Sequence, residues 1–422
     1  MTYDETIAWL VGLEATRGWD LKLERMRDAL ARLGSPERRY PAVLIAGTNG
    51  KGSTAAMAHA ALGAAGRRTG LYTSPHLVHF TERIRIRDAE IARDDVVRLA
   101  EKIRSTVDVE GTGLTFFEVT TLLALLAFAE AAVDLAVLEV GLGGRLDATN
   151  VVEPIASAVT AIDYDHEDWL GDTLADIARE KAGVMRPGRP VVLGPGIAAP
   201  AREALLEQAA RIGARVVEVK EDAAASVHAL ALSGDHMRRN AAVAGSLLEV
   251  IGAAEPRLAI DAAALARGLR TVRWPGRLAV VHAAPRVIVD GAHNVQGVLA
   301  LRAALPAVAG AGPVRLLFSA LRDKHWREMA ELLQPVAREV VVTEVGGKRG
   351  LSGSELAGGF RPAAPPRVIV PPAAALSTLI AEDRDTPVLV TGSLFLVGRI
   401  YAELMERAGA PSVYDFVPPG AA

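Results

Sequence analysis

The run Gly47-Thr48-Asn49-Gly50-Lys51-Gly52-Ser53-Thr54 carries the plainest chemistry in this chain. Glycines let successive backbone N–H groups turn inward on phosphate oxygens, and a helix beginning just after them adds its partial positive charge. Lys51 would reach the β- and γ-phosphates of a nucleotide, and a hydroxyl on the next turn could hold Mg2+. Gly52 separates Lys51 from Ser53, a departure from the common phosphate-loop spacing. The alternative is a glycine-rich turn with an exposed lysine. Preceding strand, glycine spacing, lysine, hydroxyls and following helix agree in favouring phosphate. The loop implies a nucleotide and names no reaction.

Further candidates lie at the ends of apolar runs. Glu139 closes Leu135-Ala136-Val137-Leu138. A carboxylate at the C-terminal end of a parallel strand faces the crevice where ligands bind. Buried there it needs a partner, either Mg2+ or a nearby arginine, and both readings stay open. Gly141 to Asn150 follows, with glycines that permit close backbone approach. Asp163-Tyr164-Asp165-His166 ends another apolar run, where His166 is either a metal ligand or a structural hydrogen-bonding residue. Lys181, near a helix end in Arg179-Glu180-Lys181-Ala182-Gly183, reads from physics alone as a solvated charge.

The elements that must position these residues alternate. Short apolar runs at Ala42–Ala46, Thr69–Thr73, Leu135–Val140, Ile155–Ile162, Pro190–Leu193 and Arg215–Val219 read as strands, with a helix over Thr54–Ala65. Strands separated by helices imply crossovers and a mainly parallel sheet. The pattern restarts at Arg286–Asp290 and continues at Val314–Phe318, Val340–Val342, Val368–Val370 and Val388–Val390. The seam falls near Trp274-Pro275-Gly276-Arg277, since Pro-Gly punctuates structure. The expected fold is α/β. It has an N-terminal phosphate-loop ATPase domain with a mainly parallel sheet over residues 1–281, and a smaller Rossmann-like domain over 282–422. Pro362–Pro372 reads as a surface loop and the segment after Ala408 as partly disordered.

Composition removes several function classes. The 422 residues carry 47 basic and 50 acidic side chains, a net charge of −3, so there is no electrostatic footprint for nucleic acid or anionic membrane. Cysteine is absent, which excludes disulfides, thiolate metal sites and thiol nucleophiles. The first residues lack a basic segment leading into an apolar one, and Glu130, Asp134 and Glu139 interrupt the most apolar stretch, Val119–Val140. That stretch reads as a buried helix running into a buried strand. The expectation is a cytoplasmic protein with small-molecule partners, acting as a monomer.

Taken in order, these motifs resemble the Mur ligase superfamily, and within it the dihydrofolate synthase/folylpolyglutamate synthase branch. Besides those quoted, the matching strings are Tyr72-Thr73-Ser74-Pro75-His76-Leu77, Thr81-Glu82-Arg83-Ile84, Trp169-Leu170-Gly171, Asp290-Gly291-Ala292-His293-Asn294 and Thr391-Gly392-Ser393. They span most of the chain. The resemblance implies that Thr48, Asn49, Gly50, Lys51, Gly52 and Ser53 grip ATP phosphates, with Asn240, Arg277, Asp290 and His293 as further nucleotide positions. It implies Ser74, Glu139 and His166 as Mg2+ ligands, with two ions expected, and Ser53 is then kept as a phosphate contact. It matches Lys181 to a lysine carboxylated by CO2, a role the residues alone did not suggest. Lys51, Lys181, Glu139 and His166 are the catalytic candidates. Trp19-Asp20-Leu21, Thr115-Phe116 and Leu146 resemble the pteroate-binding positions, with core packing as the other reading of Phe116. Met237, Val295 and His325 depart from residues common in relatives.

The implied reaction joins L-glutamate to dihydropteroate, giving dihydrofolate, and to reduced folates, giving polyglutamates. A carboxylate is a poor acyl donor because oxide is a poor leaving group; transfer of the γ-phosphate of ATP gives an acyl phosphate that the amine can attack. Closure of the C-terminal domain is expected to exclude water. Rival readings are folylpolyglutamate synthase activity alone, another Mur-type amide ligase, and, from a different class, a nucleotide-dependent switch.

Overall fold

The computed structural model describes residues 1–17, 22–227, 230–361 and 365–418. The chain divides into two compact units. The first comprises Met1–His76, Phe80–Ala231 and Met237–Val272; the second comprises Leu77–His79, Leu232–His236 and Arg273–Ala422.

The first unit is built on strands β1 (Ala42–Ala46), β2 (Thr69–Tyr72), β3 (Ile84–Ile86), β4 (Ala89–Glu90), β5 (Leu135–Glu139), β6 (Ala156–Val159), β7 (Pro190–Leu193) and β8 (Arg215–Glu218). Their spatial order is β4-β3-β2-β5-β1-β6-β7-β8. The run from β2 to β8 is parallel, and β3 and β4 add antiparallel strands at one edge. Every residue of β1 and β5 is buried, the mark of central strands covered on both faces by crossover helices. The small edge strands escaped the sequence reading because Arg85, Arg87 and Asp88 break their apolar pattern, with Arg87 at positive φ.

Two helices matter for the site. Helix Lys51–Ala64 begins at Lys51, earlier than the expected Thr54, because Gly50 at φ 86° caps it in the left-handed region. Its small residues admit close packing: a Cβ on Gly268 of helix Ala262–Thr271 would meet the Ala61 backbone. Helix Phe116–Glu130 is the buried helix expected ahead of β5. Its first turn is closed by a capping box between Thr115 and Glu118.

The second unit has strands β9 (Ala279–His282), β10 (Val287–Val289), β11 (Val314–Phe318), β12 (Ala337–Val342), β13 (Arg367–Val368) and β14 (Val388–Thr391), in the order β13-β12-β11-β14-β10-β9. All pairings are parallel except β9 with β10. Period-2 alternation assigns the two faces. Leu316, Phe318, Val340 and Val342 enter one core with Met329 and Leu333, while Leu317, Val341 and Val390 enter another with Leu396 and Ile400.

Three expectations need correction. The division expected after Val281 falls inside β9, which pairs with β10, so contacts divide the chain at Val272/Arg273 instead. Within Pro362–Pro372, the strand expected at Val368–Val370 is found at Arg367–Val368, and in place of a loop Pro371 and Pro372 start helix Pro372–Glu382, where proline lacks no needed donor. The segment after Ala408 is ordered at least to residue 418, because Val413 and Phe416 are buried and Phe416 meets Tyr401 edge-on at 6.0 Å. Among the described residues no helix is long and apolar enough to cross a membrane.

Candidate active site

The C-terminal ends of β2, β5, β1 and β6 lie side by side, and each delivers one piece of the site. Ser74 lies two residues past β2. Glu139 is the last residue of β5, Gly47–Gly50 follow β1, and Asp163–His166 follow β6. Parallel pairing puts Ile45 of β1 opposite Glu139 and Ala46 opposite Val159, so the ends are level.

The phosphate loop is held from beneath. Thr48 N–H donates to the Ala161 carbonyl at 2.7 Å, and its hydroxyl donates to the Asp163 carbonyl while accepting from Asp163 N–H. Thr160 donates its hydroxyl to the Asn49 carbonyl at 2.7 Å. A side chain on Gly47 would collide with that hydroxyl, and one on Gly50 would collide with the Asn240 amide. Asn240 is thereby packed against the loop, with Met237 Sδ 3.8 Å from its Nδ2. Ser53 is buried at the first turn of the helix.

Two lysines converge on one carbonyl. Lys51 Nζ donates to the carbonyls of Gly47 at 3.0 Å and Thr48 at 3.1 Å, and Lys181 Nζ donates to that of Gly47 at 3.0 Å. Burial, reinforced by the Lys51 ammonium, pushes the Lys181 amine down to about 7. The solvated charge of the bottom-up reading is therefore a buried amine, 4% exposed.

Lys181 is fixed there by the glycine-rich segment. A Cβ on Gly144 would lie 2.9 Å from the carbonyls of Glu180 and Lys181, and one on Gly183 would overlap Arg145. Arg145 N–H donates to Glu180 O, and Asn150 Nδ2 donates to the carbonyls of Arg145 and Gly183. Asp147 folds the loop by accepting from Leu142 N–H, Thr149 N–H and the Thr149 hydroxyl. Burial raises its carboxyl above the ordinary range while these donors oppose the shift. Sequence reasoning gave Asp147, Asn150 and Thr160 no role. A carboxylate and an amide closing a glycine run was the available signal.

Of the proposed metal ligands, Ser74 and Glu139 are joined directly: Ser74 N–H donates to Glu139 Oε2 at 3.0 Å. Glu139 is buried, at 6% exposure. His166 caps helix Glu167–Leu170 at φ 55°, its N–H on Asp165 Oδ1 and its Nε2 3.9 Å from the same oxygen. It follows β6, a strand that lies two strand spacings from β5 across β1, about 10 Å laterally. Among the described residues no group of three His, Cys, Asp or Glu side chains makes a metal cage. A hydroxyl, a carboxylate and an imidazole suit Mg2+ that takes its remaining ligands from water and phosphate oxygens. The donor set fits the ion.

The pteroate candidates divide. Trp19, Asp20 and Leu21 lie outside the described residues. Thr115 is committed to its cap: its hydroxyl donates to Glu118 Oε2 at 2.9 Å and accepts from Glu118 N–H. Glu118 in turn pairs with Arg25 at 2.7 Å, both nearly buried. Phe116 is half-buried beneath the Arg83 guanidinium, and Leu146 is half-buried in the glycine segment.

In the second unit, Asp290 follows β10 and accepts from Leu278 N–H at 2.9 Å and Ala292 N–H at 2.8 Å. Gly291 N–H donates to Gly276 O, and a side chain on Gly291 would overlap the Arg277 guanidinium. His293 Nδ1 lies 2.9 Å from Gly291 O. Arg277, Asp290 and His293 therefore form one cluster around the Gly276–Gly291 contact.

Residues 45–246 match the Mur ligase middle domain, and residues 276–394 match the Mur ligase glutamate ligase domain. A dihydrofolate synthase/folylpolyglutamate synthase of Bacillus subtilis is 34% identical over 366 residues, covering 80% of this chain and 84% of that protein. The chain belongs to the dihydrofolate synthase/folylpolyglutamate synthase family of Mur ligases. A probable bifunctional folylpolyglutamate synthase/dihydropteroate synthase of Haloferax volcanii is 36% identical over 94% of this chain. The chain spans about half, 50%, of that protein's length. The crystal structure of the bifunctional folylpolyglutamate synthase/dihydrofolate synthase of Yersinia pestis, complexed with AMPPNP and Mn, is similar with a TM-score of 0.83 at 32% identity. It covers 94% of this chain and 98% of that one. The Mur ligase-type α/β fold is thus shared along the chain.

Proposed function

We propose that this protein is an ATP- and Mg2+-dependent ligase that joins L-glutamate to dihydropteroate and to reduced folates through an acyl phosphate. The observation that carries the reading is the convergence of Lys51 and Lys181 on the phosphate loop, beside the joined pair Ser74–Glu139, in a chain of this family. The nucleotide and metal bound by the Yersinia pestis relative support the same ligands here.

In this reading Lys51 and the loop N–H groups of Thr48 to Ser53 orient the triphosphate and offset charge as the substrate carboxylate attacks the γ-phosphorus. Ser74, Glu139 and His166 would hold Mg2+, which supplies Lewis-acid charge at the transferring phosphoryl group. Attack on the acyl carbon by the glutamate amine then forms the amide and expels phosphate. Asn240, Arg277, Asp290 and His293 are assigned to the nucleotide, and Phe116 and Leu146, with Trp19, Asp20 and Leu21, to the pterin acid. Thr115 is assigned to this region through the cap it forms.

Lys181 is assigned as carboxylated. An amine held near 7 is partly neutral at physiological pH, and its lone pair adds to CO2 to give a carbamate with loss of one proton. That conversion replaces the buried ammonium beside the half-buried Lys51 with an anion, removing the repulsion between them. The protein is further assigned as a cytoplasmic monomer.

Substrate acid labelled with 18O in its carboxylate tests the acyl phosphate. Turnover is expected to leave one labelled oxygen in each inorganic phosphate released. Unlabelled phosphate with amide product would contradict the mechanism.

A further inference from the structure

Helix Leu174–Ala182 carries Lys181 in its last turn, and the chain just past it is tied to the glycine segment by one side chain, Arg186. One terminal nitrogen of the guanidinium donates to the carbonyls of Gly183 and Met185, each at 3.2 Å. The other donates to Asn150 Oδ1 at 2.9 Å, to the Val152 carbonyl at 3.1 Å and to the Asn150 carbonyl at 3.2 Å. Nε donates to the exposed Glu153 carboxylate at 3.3 Å. A planar fork of donors can span two segments in this way, whereas an ammonium is a point charge. Asn150 completes the staple. Its Oδ1 accepts from Arg186 while its Nδ2 donates to Gly183 O at 3.0 Å and to Arg145 O at 3.1 Å. The Gly183 carbonyl, two residues past Lys181, thus accepts from both side chains. The cation also stands where the helix presents its partial negative charge. The charges that act on the Lys181 amine itself are those of Lys51, Asp165 and Asp147, so Arg186 reaches it through the backbone.

We propose that Arg186 is a positioning residue for Lys181: with the Asn150 amide it locks the end of helix Leu174–Ala182 on the glycine segment, and so keeps the Lys181 amine at the Gly47 carbonyl, where CO2 adds to it. The inference rests on the carboxylated-lysine reading above. In the addition the amine lone pair bonds to the CO2 carbon and one N–H proton leaves to solvent. The carbamate nitrogen retains one N–H, which the Gly47 carbonyl can go on accepting. An amine that slips from this buried place regains water and with it the ammonium form, which has no lone pair to give. The staple therefore sets how much CO2 is needed to fill the site. Arg186 is none of the residues assigned to nucleotide, metal or acid, so its loss should act on CO2 alone.

Wild type, Arg186→Met, Arg186→Lys and, as a control at an exposed neighbour, Arg189→Met are compared in CO2-depleted buffer with 13C-bicarbonate added stepwise. Two quantities are read. Carbamate occupancy comes from 13C NMR, with the resonance assigned by its loss in Lys181→Met. The initial rate of ADP formation is taken in Mg-ATP, glutamate and dihydropteroate. Arg186→Met is expected to need about 10–100-fold more bicarbonate for half-occupancy and for half-maximal rate, the effect of one hydrogen bond to a charged group. At saturating bicarbonate its kcat should return to within about threefold of wild type, which a general structural lesion would not allow. Arg186→Lys, able to serve one segment but not both, should fall between the two, and Arg189→Met should match the wild type. Unchanged half-occupancy in Arg186→Met, a kcat that bicarbonate does not restore, or an equal effect from Arg189→Met would overturn the proposal. If Arg186→Met does not fold, Arg186→Lys decides it by the same readings. No carbamate resonance in the wild type would instead overturn the carboxylated-lysine reading, and this inference with it.

Discussion

At the scale of single residues, Lys181 changes most between sequence and structure. In the sequence it is one charge in a charged helix end, and only family resemblance marked it. Its role depends on a carbonyl 134 positions away, that of Gly47, and no local pattern encodes such a contact. Its depressed pKa also has a consequence for stability. Between the ordinary lysine value of 10.5 and about 7, the unfolded chain binds more protons than the folded one. The uncarboxylated protein therefore loses stability as pH falls through that window, and the loss is complete below it. Lys181→Met should raise the thermal midpoint at pH 7 in CO2-free buffer, by about 2–4 °C for each kcal/mol regained, while nearly abolishing turnover. A lower midpoint would contradict the assignment of a strained cation. Wild-type activity is expected to fall in degassed buffer and return with bicarbonate, read as initial rates of ADP formation. Lys51→Ala and Glu139→Ala should each cut ADP formation by about 10²–10³-fold or more with circular dichroism preserved; near-normal rates in either would remove it from the machinery.

Among the elements, those with unbroken apolar runs were legible. β1, β5, β7 and β11 are buried on both faces; β1 and β7 are apolar throughout, β5 has one carboxylate at its end, and β11 has one arginine, Arg315, paired with Glu339 and Glu382. β3, β4 and β9 were not legible: they are short, antiparallel and interrupted by polar residues. The helix start at Lys51 was displaced because the cap depends on positive φ at Gly50, which sequence alone only permits. The phosphate loop and Glu139 were legible from strand ends and glycine spacing. Thr115, read as a substrate contact, also serves as the N-cap of its helix, a role the sequence reading did not give it. Its partner Glu118 joins the cap to Arg25, so Glu118→Ala removes a capping carboxylate together with its salt bridge to a nearly buried guanidinium. A loss of about 1.5–3 kcal/mol is expected in denaturant unfolding; a loss under about 0.5 kcal/mol would show that the pair is not structural. Gly144→Ala should lower kcat at least about tenfold, because the added methyl presses on the backbone that carries Lys181. Unchanged kcat would mean that Lys181 tolerates a shift of its helix.

The whole molecule combines a phosphate-loop sheet with a separate Rossmann-like unit, and the family matches cover both. Its two-unit organisation was legible because the strand pattern restarts, but the seam was set too late because β9 follows the Pro-Gly signal directly. The claim that matters most at this scale is that phosphate release depends on an acid and an amine. The direct measurement is phosphate release from Mg-ATP and L-glutamate, with dihydropteroate in one reaction and a reduced folate monoglutamate in another, and the glutamate adducts identified by mass. Release with both acids, and little without acid or glutamate, is the predicted result. Release with one acid alone would restrict the substrate range. ATP hydrolysis that ignores both acids, or none under any condition, would contradict the account.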